Sequence, residues 1–111
     1  MIHIIRNPAA QQQVAEMLEA LDTYIKLAVD IERSILAGGG EMHADCESVL
    51  LEDGSVQDDI WGADWNPASR QVSFESLINI RPALHNPSLE ILDPLRRSRV
   101  DQIVRKLLEH S

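Results

Sequence analysis

Gly38-Gly39-Gly40-Glu41-Met42-His43-Ala44-Asp45-Cys46-Glu47 is the stretch on which the architecture turns. Successive glycines permit the positive φ of a tight turn, and the residues after them can be read with a period of two. In an extended chain, Glu41, His43, Asp45 and Glu47 project to one side, and Met42, Ala44 and Cys46 to the other. One face then carries carboxylates beside an imidazole. Such a set suits a divalent cation such as Mn, Fe or Zn, or an acid and base pair near neutral pH. Neighbours on one strand face are about 6 to 7 Å apart, however, so the simpler reading is the wet side of a sheet. On that reading no cofactor is evident and a bound metal, with His43, Asp45 and Glu47 as its candidate ligands, is the less favoured alternative.

Upstream, Thr23 to Ala37 accepts two periods. Ile25, Leu27, Val29 and Ile31 alternate as in a strand, whereas Leu21, Ile25, Ala28, Ile31 and Ile35 also line up along a helix. The strand is preferred because the glycines that follow suit a hairpin. Downstream, the pattern predicts a strand within Glu41 to Glu52, a turn at Asp53-Gly54-Ser55, a strand from Asp59 to Trp65 and another from Gln71 to Arg81. In that last strand Val72, Phe74, Ser76, Ile78 and Ile80 form the core face. Glu75, Asn79 and Arg81 share the opposite face, from which Arg81 can reach a carboxylate such as Glu47.

Helices flank this meander. Asn7-Pro8 and Asp93-Pro94 each place a capping side chain before a proline suited to a first helical turn. Val14, Met17, Leu18 and Leu21, then Val100, Ile103, Val104 and Leu107, repeat at helical spacing. The expected fold is therefore α+β, one domain over residues 1–111. It has a mostly antiparallel sheet of about five strands, in the order strand, helix, four-strand meander, helix, covered by two amphipathic helices.

Composition narrows the function classes. A hydrophobic share of 44% with 25% charged residues gives a foldable chain, and no apolar run approaches the roughly 20 residues of a membrane span. The first residues lack a signal peptide's basic start, and the single Cys46 cannot form an internal disulfide, so a cytoplasmic location is expected. The net charge of −8 repels a phosphate backbone, which makes nucleic acid an unlikely partner. From Glu41 to Asp64 the acids meet no Lys or Arg, while the tail carries Arg96, Arg97, Arg99, Arg105 and Lys106. This polarity suits a homodimer or a protein partner. Trp61 and Trp65 read as core, and Cys46 as a small buried residue.

Val29-Asp30-Ile31-Glu32, Gly39-Gly40-Glu41-Met42-His43-Ala44-Asp45, Leu50-Leu51-Glu52-Asp53-Gly54-Ser55, Asp59-Ile60-Trp61-Gly62 and Ser76-Leu77-Ile78-Asn79-Ile80-Arg81-Pro82 together resemble a family of small prokaryotic proteins described only as a domain of unknown function. The resemblance spans nearly the whole chain and implies no activity. What the residues themselves support is a non-enzymatic interaction or regulatory module. The alternative is a small metal-binding or hydrolase-like protein using Glu41, His43, Asp45 and Glu47, with Asn79 and Arg81 as further candidate binding residues.

Overall fold

A computed structural model describes residues Met1 to His110. Five strands form one antiparallel sheet: β1 (His3–Ile5), β2 (Ile25–Asp30), β3 (Ile35–Gly40), β4 (Ile60–Asn66) and β5 (Gln71–Ser73), in the spatial order β1-β3-β2-β4-β5. Three helices cover it: α1 (Gln11–Leu18), α2 (His43–Glu52) and α3 (Pro94–Leu108). The α+β reading and the five antiparallel strands hold, and one covering helix more than expected is present.

Central β2 is covered on both faces, and every residue of it but Lys26 is buried. Ile25, Leu27 and Val29 join Leu36, Trp61, Ala63 and Trp65 in a core completed by Val14 and Met17 of α1 and Val100, Ile103, Val104 and Leu107 of α3. Ala28 points the other way, with Ile35, Ala37 and Ile60, against Cys46 and Leu50 of α2. Burial raises the Cys46 thiol above its usual range, so it is an inert packing residue.

The ambiguous segment resolves into a hairpin whose turn lies before the glycines. Asp30, fully buried at the end of β2, accepts from the backbone N–H groups of Glu32 and Arg33 and from Ser55 Oγ. This aspartate-shaped turn reverses the chain at Ile31–Ser34. The glycine triplet therefore belongs to β3 and not to the expected hairpin. The pairing of β2 with β3 slips between Lys26 and Leu27, leaving Gly39 as the extra residue at φ 106°. A Cβ there would sit 2.2 Å from the Met1 carbonyl oxygen, so only glycine fits.

The expected strand within Glu41 to Glu52 is instead α2. Cys46, Val49 and Leu50 supply a helical stripe that the alternation over Glu41 to Glu47 obscured. Asp53-Gly54-Ser55 is the stop of this helix, not a hairpin turn. Gly54 at φ 102° donates to Leu51 O and Ser55 to Leu50 O, the paired bonds of a Schellman ending. At the other helices, α1 starts after Ala10 rather than at Asn7-Pro8, with Gln13 Oε1 accepting from Ala10 N. The expected start of α3 is found, Asp93 Oδ1 accepting from Leu95 N.

The expected strand from Gln71 to Arg81 survives only as far as Ser73. Beyond it the chain makes an isolated bridge, Glu75 to Glu90, and short helical turns at Leu77–Asn79 and Pro82–Leu84. Asn79, expected on the wet face, is fully buried, and Ile80, expected in the core, is 46% exposed.

Candidate functional site

The helical course of residues 43–52 disperses the acid and imidazole ribbon. Helical residues advance about 100° each, so His43 and Glu47 share a face while Asp45 turns away. Glu41, on the turn before α2, and Asp45 are both exposed. His43 meets Asp64 of β4, with Nε2 2.8 Å from Oδ1 and 3.1 Å from Ala63 O. Glu47 accepts from Arg81 Nη2 at 2.9 Å, the contact anticipated for Arg81, while Arg81 Nη1 donates to Gln57 O. Burial pulls the Arg81 guanidinium below its usual range, opposed by Glu47 and Asp58. Arg81 also lies 4.9 Å from the centre of the Trp61 ring, which Arg96 approaches to 4.1 Å. No group of three or more His, Cys, Asp and Glu side chains is placed to hold a metal among the described residues.

Asn79 is a strut. Beyond the short β5, Gly62 of β4 has its N–H and C=O turned toward the open side of the sheet, and the Asn79 amide takes both. Oδ1 accepts from Gly62 N at 2.8 Å and Nδ2 donates to Gly62 O at 3.0 Å. Nδ2 also faces Phe74 O and Leu89 O at 3.1 Å. Gly62 has no room for a side chain, because a Cβ would lie 2.4 Å from Ser76 Cβ. Asn86, equally buried, donates to the carbonyls of Asn79, Ser88 and Glu90 and accepts from Leu92 N. These two amides replace a strand ladder and tie the irregular chain from Phe74 to Leu92 into a fixed ledge.

The ledge displays apolar side chains outward. Leu77 is 69% exposed, Ile80 46% and Leu89 43%, next to Met42 at 53%. Leu77 and Ile78 separate two hollows. One, of about 420 Å³, is bordered by Glu47, Asp58, Arg81, Ile80 and Leu84. The other, of about 290 Å³, is bordered by Lys26, Met42, His43, Glu75 and Leu89. Sequence reasoning missed Asp64, Asn86 and Leu77. The one signal in the sequence that this stretch carries a surface is the excess of apolar residues in so turn-rich a segment.

Residues 3–107 match a family model described as a protein of unknown function. The chain belongs to the DUF5674 family. No curated protein and no solved structure matches it. Membership of DUF5674 thus brings a family without an assigned chemistry, and the ledge and its two hollows are what the DUF5674 chain itself offers. No helix among the described residues is long and apolar enough to cross a membrane.

Proposed function

We propose that this DUF5674 protein is a non-enzymatic interaction module whose ledge docks a basic, apolar-rich segment of another protein. The observation that carries this reading is the exposure of Leu77 and Ile80 on a ledge held rigid by fully buried amides. Exposed large apolar groups on an ordered, irregular segment mark interaction surfaces, and rigidity lowers the entropic cost of docking.

Charge selects the occupant. Arg81 is already neutralised by Glu47, whereas Asp58 beside the larger hollow makes no ion pair among the described residues. Nearby, Asp59 is raised above its usual range by burial and by Asp30, Glu32 and Asp58, a sign of crowded negative charge. A cationic partner relieves this crowding, and a second copy carrying −8 does not. A reducing cytoplasm suits the single buried thiol and is part of the same proposal.

The test uses an amphipathic Leu/Lys peptide and its Leu/Glu counterpart, with binding followed by fluorescence anisotropy at about 0.15 M salt. The Leu/Lys peptide binds and the Leu/Glu peptide does not. The charge-neutral double substitution Leu77→Ser with Ile80→Ser weakens binding at least about tenfold, or about 1.4 kcal/mol. Equal affinity in the double variant overturns the reading, as does concentration-dependent self-association abolished by the same substitutions.

A further inference from the structure

The smaller hollow carries a chemistry that the docking surface does not use. Both atoms that meet His43 Nε2, the Asp64 carboxylate oxygen and the Ala63 carbonyl oxygen, are acceptors. Nε2 must therefore carry the hydrogen, and in the neutral ring Nδ1 is left as an acceptor. Nδ1 has no hydrogen-bond partner among the described residues, and it is not sealed from solvent. An imidazole held through one nitrogen by a carboxylate, with the other nitrogen free, is oriented for hydrogen bonding.

Lys26 supplies the complementary group. It pairs across the sheet with Asp64 in the β2–β4 register, and its Nζ donates to Glu41 O at 3.0 Å. An ammonium has three hydrogens, so donors remain. Lys26 and His43 border the same hollow, and its other walls include Met42, Leu77, Ile78 and Leu89. An apolar cavity of about 150 Å³ admits benzene. The roughly 290 Å³ here has room for a substituted ring.

We infer that this hollow binds a small apolar molecule bearing a hydroxyl group, whose O–H donates to His43 Nδ1 and whose oxygen accepts from Lys26. A hydroxyl is the simplest group that both donates and accepts at one atom, as this pair of residues requires. A carboxylate would offer no hydrogen to Nδ1, and an ammonium would meet Lys26 with like charge.

The probe is 4-methylphenol, with toluene as the counterpart of similar shape that lacks the hydroxyl, each titrated into the whole protein. Imidazole ¹⁵N resonances and backbone amide shifts are followed by NMR. The free protein shows the Nε2–H tautomer at His43. 4-Methylphenol binds roughly five- to a hundredfold more tightly than toluene, the yield of two net hydrogen bonds, and moves the Nδ1 resonance. His43→Phe and Lys26→Met each reduce the preference, and the double variant abolishes it. A hydrogen on Nδ1 in the neutral ring, equal affinity for the two probes, binding of neither, or a preference undiminished by His43→Phe overturns the inference. The first three outcomes are read on the unaltered protein, so they stand even if a variant folds poorly.

Discussion

Replacing Asn79 with alanine strips the ledge of its strut, and the cost can be worked from the contacts. The substitution removes the acceptor of Gly62 N and the donor shared by the carbonyls of Gly62, Phe74 and Leu89. Each buried polar group left without a partner costs about 1–3 kcal/mol. Gly62 is buried, so both of its groups are stranded, whereas the carbonyls of Phe74 and Leu89 lie where the contacts are only partly buried and can turn to water. The expected loss is about 3–4 kcal/mol, a large part of the roughly 5–15 kcal/mol of a typical domain. At a urea slope of about 1.5 kcal/mol per M, the midpoint falls by about 2 M. Hydrogen exchange at the Gly62 amide accelerates with it. Asn79→Asp adds a signature in pH, because an ionised carboxylate keeps the bond from Gly62 N yet faces three carbonyl oxygens. Burial raises its folded pKa above the unfolded value, so the penalty is present at neutral pH and fades as the pH falls toward about 4. A loss below about 1 kcal/mol for Asn79→Ala would refute the reasoning, since it would mean that water satisfies the edge of β4 unaided.

Three further outcomes follow from other parts of the molecule. Asp53 is held below the usual carboxylate range by hydrogen bonds from Arg6 and Arg33, so its contribution to stability is present above its unfolded pKa and is lost as pH falls through the folded one; Asp53→Asn lowers the melting temperature evenly at neutral and alkaline pH and converges with the unaltered protein at low pH, which flattens the acid side of the thermal-melt profile. Gly39→Ala meets both the positive φ and the Met1 carbonyl, so a loss of at least about 2 kcal/mol is expected in urea melts, whereas Gly54→Ala, which meets nothing within 4 Å, costs only about 1 kcal/mol for its backbone conformation. Cys46 reacts with a thiol reagent only as fast as the protein unfolds; rapid labelling of the native protein would contradict its burial against Leu50 and Ile60.

The sequence signals that held were those with one physical meaning. Asp93-Pro94 marks a helix start by side-chain oxygen and fixed φ together, and the α3 stripe admits no strand reading, so both were legible. Ile25 to Asp30 were correctly read as extended because alternate β-branched residues suit a pleated strand. Failure came where one motif has two uses. Glycines with positive φ serve a hairpin or a bulge, and only the distant approach of Met1 to Gly39 decides for the bulge. The stretch from Glu41 to Glu47 alternates by accident, and its helical character becomes visible only when Leu50 and Gly54 are included. The Arg81–Glu47 contact was anticipated for a reason that survived the change of element, because charge pairing does not depend on whether Glu47 stands on a strand or a helix. The burial of Asn79 was illegible: its partners are the backbone of Gly62, and backbone groups leave no mark in a residue pattern.

The amide that occupies Gly62 also governs how other polypeptides can approach this flank of the molecule. A strand's unpaired flank is a template on which a foreign chain can lengthen a sheet, the first step toward fibrils and swapped dimers. Here a side chain has taken the template's hydrogen bonds at Gly62, and Gly62 lies beneath Ser76 and Ile78. A visitor to this side must be recognised by its side chains, and the protein can present greasy residues there without inviting strand-by-strand aggregation at that position.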